Sequence, residues 1–130
     1  MATMKKIIAE VEKIHAVEVR MINGVEMFEV SQLEKYFNKP VLKFMDERFA
    51  REYVKALAYV KHQQKSGGKI TANYVADRVK ILENLAFTRT DGHWLCKELF
   101  IEYARWLSPY FAVKCNLCCA HLVPTLDKRE

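Results

Sequence analysis

The chain has 130 residues, of which 51% are hydrophobic and 28% charged, and its formal net charge is +5. This length accommodates one domain with its own core but not two ordinary domains, and the composition excludes an intrinsically disordered chain. No apolar run is long enough to span a bilayer. The excess of positive charge favours an anionic partner, of which nucleic acid is the commonest.

The cysteines are crowded near the end of the chain, since Cys115, Cys118 and Cys119 fall within five positions and only Cys96 stands apart. That layout is poor for stapling a domain, so we expect reduced thiols and a cytoplasmic protein. Cys115, Cys118, Cys119 and His121 offer thiolate and imidazole ligands of the kind that zinc prefers. Small apolar side chains buried along a helix are the preferred interpretation, and we predict no metal and no other cofactor.

The first elements are a short helix and a hairpin. Ile7, Val11 and Ile14 recur at helical spacing, which predicts a helical extension over residues 1–16. Apolar and polar residues then alternate on either side of Asn23-Gly24, the dipeptide that favours a tight turn with positive φ angles. Residues 17–21 and 25–29 are therefore predicted to form two antiparallel strands.

Two short helices joined by a sharp turn are predicted next. Ser31 and Glu34 have the spacing of a capping box, which predicts a helix over residues 31–37. Asn38-Lys39-Pro40 then ends this helix and begins a second one, because proline fits the first turn of a helix and disfavours helical geometry in the residue before it. Val41, Phe44 and Met45 should face the core.

The middle of the chain predicts two longer helices separated by a basic, glycine-containing loop at residues 65–69. The first covers residues 50–62, and the second is capped by Thr71. Helical spacing of apolar residues predicts which side chains of these helices are buried. They are Tyr53, Leu57 and Val60 in the first helix, and Val75, Val79 and Leu82 in the second.

The last part of the chain predicts a second hairpin and two apolar helices. Residues 87–89 and 93–95 flank a turn at residues 90–92. A helix follows over residues 97–107, and Ser108-Pro109 caps and begins the last helix. We expect Trp94 to be a core residue that holds this hairpin in place.

This order of elements resembles the KilA-N domain of phages and large DNA viruses, which is related to the fungal APSES DNA-binding domain. The resemblance covers roughly residues 17–117. Its most specific motifs are the Gly92-x-Trp94 pair and the run Ala104-Arg105-Trp106-Leu107-Ser108-Pro109-Tyr110-Phe111. The sequence departs from the family at Phe44, where a tryptophan is frequent, and in the shortness of the second hairpin.

The resemblance implies an α+β fold, a mainly helical single domain with one or two β-hairpins and a winged helix-turn-helix-like DNA-binding surface. The domain would cover residues 17–120, followed by a tail at 121–130. Residues 31–37 would be the first helix of the motif, the groove-facing helix would begin near residues 38–43, and the wing would be residues 87–94.

Six residues are predicted to bind DNA on this basis, namely Lys35, Asn38, Lys39, Lys43, Arg89 and His93. Lysines near a helix N-terminus attract phosphate, and an asparagine side chain can read a base edge. The alternative is that these are ordinary solvated surface side chains. Asp46 and Glu47 would repel phosphate, so only the N-terminal end of the second helix is expected to approach DNA.

The predicted function is double-stranded DNA binding by a phage or prophage regulatory protein in the cytoplasm of a bacterial host. The alternative is a protein-interaction module on the same scaffold, such as an antirepressor or an antagonist of a host factor. The short second hairpin and Asp46-Glu47 favour that alternative, and a homodimer is also left open. We predict no enzyme activity, because Cys96 and His93 lack a nucleophile signature and no phosphate-binding glycine loop is present.

Overall fold

The computed structural model describes residues 3–118 and 125–126. It begins with helix α1, Met4–Val11, which a 3₁₀ helix, Glu12–Ala16, continues. Thr3 caps α1 by accepting a hydrogen bond from the N–H of Lys6. The remaining elements are β1 (Glu18–Ile22), β2 (Val25–Glu29), α2 (Ser31–Phe37), α3 (Val41–Met45), α4 (Arg48–Lys65), α5 (Tyr74–Glu83), β3 (Ala86–Arg89), β4 (Gly92–Cys96), α6 (Lys97–Leu107), α7 (Pro109–Cys118) and β5 (Thr125–Leu126).

The sheet joins both predicted hairpins. Asn23 and Gly24 have φ angles of 52° and 76°, as the tight turn between β1 and β2 requires. β2 pairs antiparallel with β4, and β4 with β3, so the strand order is β3-β4-β2-β1-β5, with the two-residue β5 parallel to β1. The predicted α+β, mainly helical class with two hairpins is thus confirmed.

The core lies between this sheet and α6, with α7 behind it. Phe28 on β2 and Phe100 on α6 stack with ring centroids 4.6 Å apart, and Phe111 on α7 meets Phe100 edge-on. Trp94 and Tyr103 are fully buried, so the expectation that Trp94 is a core residue is confirmed. Phe100, Tyr103 and Phe111, the fully buried aromatic residues after the second hairpin, therefore serve packing.

The predicted capping box at Ser31 and Glu34 is wrong. The hydroxyl and the N–H of Ser31 both donate to the carboxylate of Glu29, at 2.6 and 2.9 Å. Glu34 reaches forward instead and accepts a hydrogen bond from the N–H of Val41 at 2.8 Å. Ser31 is thus bound by the carboxylate two residues before it, and Glu34 binds a backbone N–H seven residues after it, so the two side chains do not cap α2 reciprocally. The bounds of α2 are nevertheless those predicted.

The predicted buried stripe of α5 is wrong at two of its three residues, while Leu82 packs partly buried against the core as predicted. Val75 and Val79 are 70% and 52% exposed, whereas Asp77 and Ile81 are buried. The reason is that α5 turns toward His62 on α4, which binds Asp77. Val60 on α4 is likewise exposed. Thr71 does not cap α5, since Asn73 is the N-cap residue and α5 begins at Tyr74.

Within the described part of the chain, no helix has the length and apolar character needed to cross a membrane.

Candidate nucleic-acid interface

α2 and α3 form two short helices joined by a tight turn. α2 ends at Asn38, whose φ of 54° lies in the left-handed region that asparagine tolerates better than most residues. Pro40 then precedes the first residue of α3, Val41. Because the carboxylate of Glu34 on α2 accepts the N–H of Val41, the two helices are fixed relative to each other. The predicted turn between them is confirmed.

α3 lies beside the β3–β4 hairpin. The N–H of Val30 donates to the carbonyl of His93 at 2.9 Å, and the Nε2 atom of His93 lies 3.7 Å from a carboxylate oxygen of Glu34. Between α3 and the hairpin is a groove of about 250 Å³. Its lining is mainly apolar and includes Leu42 and Phe87. The helix pair and the hairpin thus border one surface.

Glu29 joins the start of α2 to the hairpin. One of its carboxylate oxygens accepts hydrogen bonds from the hydroxyl and N–H of Ser31 and, at 2.9 Å, from the N–H of His93. Gly92 lies against the same carboxylate with a φ of 140°. A Cβ at position 92 would overlap the Glu29 side chain. This contact gives a physical reason for the glycine two residues before Trp94.

Asp91 organises the tip of the hairpin. Its carboxylate accepts hydrogen bonds from Arg20 at 2.6 Å, from Arg89 at 3.0 Å and from the indole N–H of Trp94 at 3.1 Å. Partial burial alone would raise the pKa of Asp91, but the hydrogen bonds from Trp94 and Arg20 and the two positive charges outweigh it and lower that pKa. The guanidinium of Arg20 also covers the Trp94 ring, 4.6 Å from its centroid.

Three of the six predicted DNA-binding residues, Lys35, Asn38 and Lys43, have exposed side chains at the α2–α3 junction. Lys39 differs, because its ammonium donates to the carbonyl of Trp106 at 3.0 Å and lies 5.1 Å from the centroid of that indole ring. Tyr103 donates to the carbonyl of Lys39 at 2.7 Å. Lys39 therefore attaches the turn to α6.

The two predicted residues of the hairpin also have partners within the chain. The Arg89 side chain is only 15% exposed and pairs with Asp91. The Nδ1 atom of His93 is 2.9 Å from the hydroxyl of Thr88. The sequence interpretation missed Glu29, Glu34 and Arg20, which position these groups. Only the pairing of β2 with β4, a contact between distant parts of the chain, brings these residues to the hairpin.

A second polar cluster joins α4 to α5. The buried His62 ring binds Asp77 at 2.6 Å through Nδ1, while Nε2 accepts the N–H of Thr71 at 3.2 Å, so Nδ1 carries the proton. Lys65 binds the other oxygen of Asp77 at 2.6 Å. The hydrogen bond from Lys65 and then that from His62 lower the pKa of Asp77.

This hydroxyl, imidazole and carboxylate set superficially matches a hydrolase triad, since the Thr71 hydroxyl is 3.2 Å from Nε2. The Nε2 lone pair, however, already accepts a backbone N–H, and a general base needs that lone pair free. Cys96 is fully buried, and burial raises the pKa of its thiol to about 12. A thiol in that state is a poor nucleophile.

No group of three or more His, Cys, Asp or Glu side chains suited to a metal ion occurs within the described residues. The zinc hypothesis concerned Cys115, Cys118, Cys119 and His121. Cys115 is buried on α7, while Cys119 and His121 lie outside the described residues.

Comparison with known proteins gives one match. A family model described as the KilA-N domain matches residues 4–122. No curated protein matches the chain, and no solved structure does.

Proposed function

The chain belongs to the KilA-N domain family, and on that premise we propose that it binds double-stranded DNA. The proposed interface is the surface that α2, α3 and the β3–β4 hairpin border together. In this proposal α3 faces a groove of the duplex and the hairpin acts as a short wing. The observation that carries it is the fixed placement of α3 beside the hairpin through Glu34, Val30 and His93.

Lys35, Asn38 and Lys43 are the proposed DNA contacts at the helix junction, because their side chains are exposed. The lysines would neutralise phosphates, and the Asn38 amide would contact a base edge. Lys39 and Arg89 are proposed to hold the turn and the hairpin tip in place, since their charged groups already have partners. His93 borders the protein groove between α3 and the hairpin, and it would contact DNA beside α3.

We further propose a regulatory, non-enzymatic protein of a phage or prophage that acts in the bacterial cytoplasm. The surroundings of His62 and Cys96, the two side chains that could otherwise act in catalysis, support a non-enzymatic protein. The Nε2 atom of His62 is occupied by a backbone N–H, and Cys96 is buried with a raised pKa.

A protein-interaction module on the same scaffold, such as an antirepressor or an antagonist of a host factor, is the second candidate. The groove between α3 and the hairpin favours it, because its lining is mainly apolar and Leu42 at its edge is 72% exposed. Apolar grooves rimmed by polar residues commonly receive a protein partner. A homodimer would also be compatible with either candidate, and its test is sedimentation equilibrium.

The deciding experiment is fluorescence anisotropy of a labelled random-sequence duplex of 20 base pairs titrated with the protein over a salt series. We expect the logarithm of affinity to fall linearly with the logarithm of salt, with a slope of about −0.9 per neutralised phosphate. Lys43→Ala should reduce that slope by about one unit. Absence of binding at low salt would contradict the proposal and favour the protein-interaction module.

A further inference from the structure

The net positive charge of the chain lies in one segment. Residues 48–83 contain eight Lys and Arg against three Asp and Glu, a balance of +5 that equals the formal charge of the whole chain. Residues 31–47, which include the α2–α3 junction, contain three lysines and three acidic residues, a balance of zero. Within this segment α4 has five cations against one carboxylate and the loop after it adds Lys69, whereas the two cations of α5 are balanced by two carboxylates. Long-range attraction of a polyanion therefore comes mainly from α4.

Three of the five cations of α4 form a stripe. Arg48, Arg51 and Lys55 stand at i, i+3 and i+7, so they share one face of the helix, and all three are exposed. Tyr59, one turn further and 45% exposed, continues the same face. The only acidic residue in the sequence of α4 is Glu52. Its pairing with Lys55 at 3.6 Å is solvent-exposed and therefore weak.

α5 extends this stripe. The ring centroids of Tyr59 and Tyr74 are 5.8 Å apart, which places the start of α5 beside the stripe. Arg78 follows Tyr74 by one helical turn, so it lies on the same side of α5, and it is exposed. The buried bond between His62 and Asp77 fixes α5 against α4. The cations of the two helices thus keep a defined spacing.

We propose that Arg48, Arg51, Lys55 and Arg78, together with Tyr59 and Tyr74, form a phosphate-binding surface for duplex DNA. This α4–α5 basic surface rests on the proposed DNA-binding function and adds a second docking surface to the one at α3. Guanidinium groups bind phosphate oxygens in a bidentate manner, lysine adds a point charge, and tyrosine hydroxyls donate to phosphate. Its contacts are to the sugar–phosphate backbone, so it contributes affinity without sequence preference.

The acidic pair before α4 should determine from which end of α4 the duplex approaches. Asp46 and Glu47 are exposed next to Arg48 and would repel phosphate. Lys55 is two helical turns along α4 from Glu47, and the start of α5 meets α4 one turn further on, at Tyr59. Lys55 and Arg78 should therefore contribute more than Arg48. The variants that test the surface are therefore Lys55→Gln and Arg78→Gln. All of these side chains are exposed, so the substitutions should leave the fold intact.

Lys80→Gln is the matched control. It removes the same charge from α5, but residue 80 is about 200° around the helix from residue 78 and faces away from the stripe. Each protein is titrated into the same labelled 20-base-pair duplex over a salt series, with circular dichroism to verify folding. We expect Lys55→Gln and Arg78→Gln each to weaken binding roughly eightfold at 0.1 M salt and to reduce the salt slope by about one unit.

Two results overturn the inference, and they are distinguishable. If Lys55→Gln and Arg78→Gln behave like Lys80→Gln while Lys43→Gln weakens binding, DNA binding stands and the α4–α5 basic surface is wrong. If the unaltered protein binds no duplex at low salt, the proposed function and this surface fail together. Hydrogen exchange adds a direct readout, because bound duplex should slow exchange in peptides covering residues 48–59 and 74–78.

Discussion

The carboxylate of Glu29 occupies the space that a Cβ on residue 92 would take. The same carboxylate accepts hydrogen bonds from Ser31 and from the N–H of His93, so one side chain joins β2, α2 and the hairpin. Gly92 also has a φ of 140°, which L-residues rarely adopt. Steric and conformational requirements therefore coincide at this glycine.

Gly92→Ala should destabilise the protein by roughly 3 kcal/mol or more. Backbone strain accounts for about 1–3 kcal/mol, and displacement of Glu29 adds the loss of hydrogen bonds to a charged acceptor. Gly68→Ala is the control, because Gly68 has a φ of 92° but nothing within 4 Å of the added Cβ, so only strain of about 1–2 kcal/mol applies. Urea denaturation of both variants compares them, and equal losses of stability would show that Glu29 moves aside freely.

Lys39 and Lys43 should behave oppositely although they lie four residues apart. Lys39→Ala removes a hydrogen bond to the Trp106 carbonyl and a cation–π contact, so it should lower the free energy of unfolding by roughly 1–2 kcal/mol. Lys43→Ala, at an exposed position, should change it by less than about 0.5 kcal/mol. Urea denaturation measures both changes in stability, and duplex anisotropy measures the loss of DNA affinity that we expect for Lys43→Ala. A Lys39 variant of unchanged stability but reduced DNA affinity would return Lys39 to the DNA-contacting set.

Ionisation of Asp91 should make the free energy of unfolding depend on pH. The pKa of Asp91 in the folded protein lies below its ordinary value of 3.8, so the carboxylate stabilises the fold at pH values above 3.8. This contribution is lost as the pH falls through the lowered pKa of the folded state. Asp91→Asn should therefore destabilise clearly at pH 7, and the difference from the unaltered protein should shrink as the pH is lowered to 3 and below, as followed by thermal unfolding.

Asp46→Asn is the control for this pH dependence, since Asp46 is an exposed carboxylate on the short segment between α3 and α4. Its substitution should shift the melting temperature little at either pH. A loss of stability in Asp91→Asn that is equally large at pH 3 and pH 7 would mean that the ionised carboxylate is not what holds Arg20, Arg89 and Trp94 together.

Local signals in the sequence were sufficient to predict turns whose position depends on special backbone angles. Asn23-Gly24 predicts its hairpin because few residues accept two consecutive positive φ angles, and Asn38-Lys39-Pro40 predicts the turn between α2 and α3 for a similar reason. The resemblance to the KilA-N family also rested on a local pattern, the glycine and tryptophan of β4 and the helices that follow.

The rest depends on polar contacts that no local motif signals. Glu34 has the right spacing for a capping box but binds Val41, and Ser31 binds Glu29. The valines of α5 have helical spacing, yet the buried pair of His62 and Asp77 rotates the opposite face inward. The spacing of apolar residues carries no information about polar bonds, so it does not predict which face of α5 a buried polar bond turns inward. Equally, no local signal shows that Lys39 turns back to Trp106.

The His62–Asp77 bond should control the attachment of α5 and, through it, DNA affinity. His62 is buried, and His62→Ala leaves a cavity and removes one hydrogen bond each from the Thr71 N–H and the Asp77 carboxylate, which keeps only its bond to Lys65. We expect roughly 2–4 kcal/mol of lost stability and faster hydrogen exchange in α5. No formal charge on the α4–α5 basic surface changes, yet Arg78 loses its fixed place beside Lys55, so duplex affinity should fall as well.

His15→Ala, at an exposed histidine, controls for the substitution itself. Unchanged exchange in α5 would show that apolar packing holds it, whereas faster exchange with unchanged duplex affinity would separate α5 from DNA binding.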